Sequence, residues 1–466
     1  MSRRIAVLCA TAVLLGGCGT LTANNTELLK ARQQLASGNA DAALAEVAVD
    51  ERDDLPAILD RAMILQAQGK PVESNAEFDR AIQCVHDYEA RAVLSATAAG
   101  TGAGSLMLND KVLEYQGDGF EKVLMHGFKA RNYLMLGDPE SARVEIRNAN
   151  MRQDEERKKN QEAIDEAKKE GEGKYAPSEI DKQFGASQAA LSRLDNVYQN
   201  PFATYLSGVV YEVNGEPGDA FIDYKQAYEM VPNPLVGADL TRLAKQLGRE
   251  DELPAGGVGA VADGAAPGNV LVFLDNGLAP ERVQIKFPLP GPGTVLFAAV
   301  PMTQPVSTNV TEADVVGANG EVLGHTQMLV DVEAMSVRSL HDHYPGILTR
   351  QAIRLATRAA AGAVAQQQLG AAGLLLTTTF NAIAEQADLR AWYTLPRSVH
   401  VARINLPADQ QQLTLRLLDG SGSTVREVAV PVISPAGASL RVASLRYVDG
   451  QVIAAGQPPL QIGALP

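Results

Sequence analysis

Aromatic side chains are scarce in this chain of 466 residues: they make up 5% of it, and Trp392 is the one tryptophan. That poverty argues against a surface built to stack on sugar rings. Cysteine is rarer still, at three residues, which excludes a disulfide-stapled scaffold. Basic residues are outnumbered, 41 Lys and Arg against 55 Asp and Glu, for a formal charge of −14. An acidic surface repels phosphate backbones, so nucleic acid is not an expected partner. The remainder is globular in composition, 46% hydrophobic and 21% charged. At roughly 100–200 residues per domain, two or three domains are expected.

The first residues read as an address. Ser2-Arg3-Arg4 precedes an apolar run from Ile5 to Leu15 and then Gly16-Gly17-Cys18. A basic start, a short apolar run and small residues before a cut describe a secretory leader over 1–17. The run falls short of the about 20 residues needed to span a bilayer. Leu15-Gly16-Gly17-Cys18 resembles the bacterial lipobox, which implies acylation of the Cys18 thiol and cleavage before it; an ordinary leader with a chance cysteine is the alternative. The arginine pair does not make a twin-arginine signal, because Ala6 stands where that motif has Phe. Losing Arg3 and Arg4 takes the charge from −14 to −16, and a lipidated Cys18 leaves Cys84 without a disulfide partner. Several acyl chains, at about 0.8 kcal/mol per buried CH₂, anchor firmly where one would not. Gly19 after the cysteine implies the outer membrane by the usual lipoprotein sorting rule, with the body facing the periplasm.

Residues 18–248 carry a recurring frame. Counted from 55, it gives Ala62, Leu65, Gly69, Phe78 and Ala81; from 123, Ala130, Tyr133, Gly137, Ala142, Ile146 and Ala149. Counted from 201, it gives Gly208, Tyr211, Gly215, Ala220, Tyr224, Ala227 and Pro232, and a weaker unit from 24 gives Ala31, Gly38, Ala43 and Val47. Small residues at 8, 20 and 27, large ones at 11 and 24 and Gly at 15 match the tetratricopeptide (TPR) pattern, in which small residues let paired helices approach closely. A non-repetitive helical bundle is the plainer alternative. The Gly-rich stretch 98–105 has no lysine after it and no strand before it, so it reads as a loop, not a phosphate cradle. Residues 151–174 are dense in both charges, with Asp154–Lys158, Glu155–Lys159 and Asp165–Lys169 at the favourable four-residue spacing. They read as a solvated helical arm over 151–197, or a docking arm.

Residues 249–268 are a linker by composition. Beyond it the period changes to two. Strands are expected over 269–274, 282–287, 294–300, 399–406, 412–418, 424–432, 439–448 and 451–455, with turns at 419–423 and 449–450. The fold class is therefore α+β and multidomain: an N-terminal helical repeat array, then an antiparallel, sandwich-like β domain over 269–466 with an inserted helical hairpin at 347–391. Residues 359–384 of that hairpin carry no charge. Their Gln and Thr content makes a poor membrane span, leaving a buried hairpin or a hydrophobic partner face.

No catalytic signature emerges. His341-Asp342-His343 is the one tight set of ligand-type residues, and Tyr344-Pro345-Gly346 after it reads as a turn, so a polar loop is favoured over a metal site. Cys84 sits among apolar neighbours as a core thiol. Neither a metal nor another cofactor is expected, and an enzyme is the third choice of function class.

Three segments combine into a broader resemblance. Tyr115-Gln116-Gly117-Asp118-Gly119-Phe120-Glu121 precedes Ala130-Arg131-Asn132-Tyr133; Asn200-Pro201-Phe202-Ala203-Thr204-Tyr205 opens the last repeat; and Gln386-Ala387-Asp388-Leu389-Arg390-Ala391-Trp392 leads to Leu395-Pro396. Together they resemble a poorly characterised family of TPR-containing outer-membrane lipoproteins of Gram-negative bacteria. The resemblance implies this architecture and leaves activity open. The favoured function is a lipid-anchored periplasmic scaffold that holds another envelope protein in a concave helical groove. Asn132, Tyr133, Tyr205 and Tyr211 are the candidate contacts, although tyrosine at position 11 also suits inter-repeat packing. The alternative is a glycan- or peptidoglycan-binding β-module on a helical spacer. Cys18→Ala is expected to abolish palmitate labelling and membrane flotation while leaving the circular dichroism spectrum unchanged; continued flotation would place the anchor elsewhere.

Overall fold

The computed structural model describes residues 18–47, 54–98, 115–171, 182, 184–194, 197, 199–254, 264–291, 294–384 and 386–453. The leader, most of the Gly-rich stretch, much of the arm's return and the middle of the linker lie outside these residues. The described chain is mixed α and β: eleven α-helices and eleven strands.

The helices come first. They are α1 (Cys18–Ala36), α2 (Ala40–Glu46), α3 (Leu55–Ala67), α4 (Pro71–Ala98), α5 (Gly119–Leu136) and α6 (Pro139–Gly171). A single turn, α7 (Gln188–Leu191), precedes α8 (Pro201–Val213), α9 (Pro217–Met230) and α10 (Pro234–Leu247). Local chemistry sets their ends. Asn200 and Asn233 accept the amides of Ala203 and Val236, with proline in the first turn of each helix. Gly137 and Gly248 end α5 and α10 in the left-handed conformation. Equivalent positions of the pairs α3/α4, α5/α6 and α8/α9 are buried alike. Ala62, Ala130 and Gly208, then Ser74, Ala142 and Ala220, then Ala81, Ala149 and Ala227, are all sequestered. Small side chains recur because paired helices touch there. At Gly208 a Cβ would lie 2.5 Å from the Tyr224 ring.

The strands are β1 (Val270–Asn276), β2 (Arg282–Gly291), β3 (Thr294–Thr303), β4 (Glu312–Val316), β5 (Val322–His325), β6 (Gln327–Asp331), β7 (Ser398–Ile404), β8 (Gln412–Leu418), β9 (Thr424–Ile433), β10 (Arg441–Val448) and β11 (Gln451–Ile453). Nine form one sheet in the order β5-β4-β8-β9-β10-β1-β7-β6, with β11 on β10, while β2 and β3 pair apart. This corrects the sandwich expectation. The edge strands β5 and β6 are joined through Thr326 alone, so the sheet must curl until its edges nearly meet. Thr326 bonds the backbone of Ala313 on β4. The sheet is also not wholly antiparallel, since β1 and β10 run parallel. Val270, Val272 and Leu274 fill the inside of the curl with Leu413, Leu415, Val430 and Leu445.

The alternate residues of β1 face outward, and there the two halves of the chain meet. Leu271 and Phe273 share one core with Val399, Val401 and Val442 of the sheet and with Phe128, Phe202, Leu206 and Leu240 of the helices. The helices and the strands themselves make this contact between the two halves.

The helical insert differs as well. Helix α11 (Val332–Ala384) starts directly after β6, far ahead of 347, with Asp331 accepting the Ala334 amide as its cap. Its regular dihedrals break at Gly370, within the span expected to form the hairpin. His341-Asp342-His343 thus lies within a helix, and the turn expected at Tyr344-Pro345-Gly346 is absent. The first half of α11 packs on β3: Val337, Leu340 and Tyr344 meet Val300 and Met302, and Gln351 donates to the Ala299 carbonyl at 2.6 Å. The side chains of 371–384 lie outside the described residues. Among those described, no helix is long and apolar enough to cross a membrane.

Gly208→Leu is expected to destabilise the chain by about 3 kcal/mol or more, because the Tyr224 ring cannot retreat from a filled core. An unchanged midpoint in thermal unfolding would show that the α8/α9 contact is looser than this geometry.

Candidate functional site

The two most distinctive segments of the sequence converge. Residues 115–121 lead into α5, and residues 386–395 form a strap between α11 and β7 that crosses the helices. Glu121, one turn into α5, accepts the Asp118 amide at 2.9 Å, the Tyr115 hydroxyl at 2.6 Å and the strap's Trp392 amide at 3.0 Å. On α3, Asp60 takes both the amide and the hydroxyl of Thr394, at 2.9 and 2.8 Å. Between these carboxylates the Trp392 ring meets Phe78 and Phe128 edge-on, with centroids 6.1 and 6.2 Å away. Arg446 donates to the Thr394 carbonyl, and Arg32 of α1 to that of Tyr393.

Burial dominates the electrostatics here. It pushes the Asp60 carboxyl up to about 7, against the hydrogen bonds from Thr394. Burial and the nearby Asp118 push Glu121 up to about 7 too, against the bond from Tyr115. The same burial holds the Tyr115 phenol well above its ordinary range. Burial opposes the charge of Arg282, yet Asp118, 2.5 Å away, outweighs it and keeps the guanidinium charged. Arg282 also donates to the Arg390 carbonyl, and Gln284 accepts the Ala387 amide, so β2 secures the strap from its other side.

Beside the strap lies a cleft of about 140 Å³. It is bounded by Asp118, Arg282 and Asp388 and by Ser339, His343, Ile347 and Arg350 along one face of α11. Asp388 pairs with Arg390 at 2.8 Å. The cleft can hold a small polar molecule. Among the described residues no group of three or more His, Cys, Asp or Glu is placed to hold a metal ion.

The expected contact residues do not assemble into a surface. Asn132 is wholly buried, accepting from Gln66 at 2.7 Å and donating to Ser74 and Asn75. Tyr205 is buried too, donating to Asp239 at 2.8 Å, and Asp239 pairs with Arg242 and with Arg403 of β7. Both are corrected to interior residues, because polar groups between packed helices are satisfied by each other. Tyr133 and Tyr211 are half-buried against the core. Cys18 opens α1, and Cys84 is in the core. Asp60, Arg282 and Arg350 went unremarked in the sequence. Glu121 could have been singled out by its position three residues after Asp118, a capping-box spacing.

No protein-family model matches the chain, and no curated protein matches it.

The raised carboxyls give a pH dependence of known sign. Their folded values, about 7, exceed the roughly 4 of unfolded carboxylates. The folded state thus binds extra protons, and stability grows as pH falls through the folded value. Below the ordinary histidine range the trend is opposed, because burial pulls His400 down to about 4. Unfolding free energy is expected to rise by about 1–2 kcal/mol from about pH 8.5 to about pH 6.5. Denaturant titrations of Asp60→Asn with Glu121→Gln should lose most of that slope.

Proposed function

We propose that the chain is a lipid-anchored scaffold of the bacterial cell envelope, attached through Cys18, facing the periplasm from the outer membrane and built on TPR-like repeats. The like burial of small residues at equivalent positions of three helix pairs supports the repeat reading. The leader and its Leu15-Gly16-Gly17-Cys18 ending support the anchor, and the shared motifs support the family resemblance. The partner is another envelope protein.

Its docking face is not the one that repeats alone would offer. Helices α3, α5 and α8 spend their inner residues on the sheet and the strap: Asp60 on Thr394, Arg131 on Asp275, Phe202 on Phe273. The observation that carries the scaffold reading is on the outer face. Val144 of α6 and Ile222 of α9 fall at the same place in consecutive pairs and are 56% and 54% exposed. A recurrent exposed apolar residue on a repeat array gives a partner a periodic grip. The half-buried Tyr133 and Tyr211 occupy equivalent places on α5 and α8. The peptidoglycan alternative draws less support, since Trp392, Tyr393 and Tyr447 are all buried.

Tagged full-length protein captured from detergent-solubilised envelopes is expected to retain a defined partner that Val144→Glu with Ile222→Glu loses, with unchanged melting. Cosedimentation with purified peptidoglycan, equal in both forms and with no protein partner, would overturn the scaffold in favour of the β-module.

A further inference from the structure

The interface between helices and sheet encloses more positive charge than negative. Arg32, Arg131 and Arg446 reach it from α1, α5 and β10, and none is more than 8% exposed. Arg32 pairs with Glu281 and Arg131 with Asp275. Among the described residues, no carboxylate is in ion-pair contact with Arg446. Asp275 is its register neighbour on β1, but both oxygens of that carboxylate accept from Arg131, at 2.9 and 3.0 Å. The next carboxyl, Asp60, is taken by the amide and hydroxyl of Thr394, while Arg446 holds the carbonyl of the same residue at 2.8 Å. Three guanidiniums therefore share two carboxylates.

Their donors are not all used. Arg446 Nη1 and Arg131 Nε are buried and meet no acceptor among the described residues. Ser444, two residues before Arg446 and so on the same face of β10, accepts from Arg131 and keeps its own hydroxyl hydrogen to give. A guanidinium stripped of water without a counter-charge is among the costliest groups a protein can enclose. Losing its proton is no escape at neutral pH. Burial, then repulsion from Arg131 and Arg32, pulls Arg446 down to about 10 against the attraction of Asp275. What the corner lacks is one negative charge that accepts hydrogen bonds. A water molecule would occupy the donors and leave the charge uncompensated. Few donors converge, so the corner suits an ion that needs only two or three contacts, not a phosphate or a carboxylate with a fuller set of oxygens to satisfy.

We propose that the helix–sheet interface binds one small monovalent anion, of the chloride class, at Arg446 Nη1, with the Ser444 hydroxyl as its second donor. This holds whether or not the chain is a scaffold. The ion neutralises the guanidinium that secures the Thr394 carbonyl, so it belongs to the set of partners that hold the strap. Occupancy then links the salt outside to the seating of the helices on the sheet.

The test is denaturant unfolding of the full-length protein as chloride replaces gluconate at constant ionic strength, which leaves screening unchanged. An anion held only by the folded state raises the folding constant in proportion to its concentration once the site is filling. A tenfold rise in chloride is therefore expected to raise that constant by up to about tenfold, with bromide able to stand in for chloride. Arg446→Met should lose the dependence, and Arg446→Lys, which keeps the charge, should retain part of it. Crystals of the unaltered protein grown in bromide should show an anomalous peak at Arg446 Nη1, a result that stands even where Arg446→Met fails to fold. A folding constant indifferent to chloride, a dependence that Arg446→Met retains in full, or a crystal with water alone at Nη1 overturns the proposal.

Discussion

Arg131 and Asp275 meet almost entirely out of water, one from the middle of α5 and the other from the central strand β1. Two guanidinium bonds of 2.9 and 3.0 Å join them. Arg131 also bonds Ser444 on β10 and lies over the Phe273 ring. Such a pair adds little net stability over a well-packed apolar replacement. Removing one partner, however, strands the other charge in the interior at a cost of about 3–5 kcal/mol. What it sets is register. The helices can meet the sheet in one alignment only, because any slip leaves both charges desolvated. The apolar contacts of Phe128, Phe202, Leu271 and Phe273 are permissive by comparison. A second network at Arg403, with Glu212, Asp239 and the Tyr224 hydroxyl, fixes the far end in the same way.

The strap depends on that alignment. It is a short irregular segment buried between helices and sheet, so its backbone groups need partners that no neighbouring strand supplies. Asp60, Glu121, Arg32, Arg446 and Gln284 supply them, each from a different element. The arrangement explains why Trp392, the one tryptophan, is not at the surface: its ring is packed edge-on against Phe78 of α4 and Phe128 of α5.

Much of the helical half was legible because its rules are local. Small residues at Ala62, Ala130 and Ala142 mark close approach, and Gly137 and Gly248 mark helix ends, all within a few turns of sequence. The strands of a two-residue period were visible for the same reason. The short strands β4 to β6 carry too few residues for a period to register, and the curl of the sheet depends on one residue, Thr326, between its two edges. The parallel pairing of β1 with β10 joins residues about 170 positions apart, beyond any local signal. Helix α11 was placed too late because Tyr344-Pro345-Gly346 carries turn residues that packing on β3 overrides. Asn132 and Tyr205 looked like contacts because a polar residue on a helix usually seeks water, but here it seeks another helix. The converging motifs were visible as words, while their meeting at Asp60 and Glu121 was not.

Helix α1 starts at Cys18, and Leu28 is its first buried residue among those whose burial is described. Ten residues at 1.5 Å per residue put Cys18 about 15 Å from Leu28 along the helix axis. Arg32 then ties that helix to Glu281 and to the strap. In a chain acylated at Cys18, the attachment is a short, stiff post and not a slack leash. The body would then ride close to the lipid headgroups with little freedom to swivel, presenting one constant side to the aqueous space.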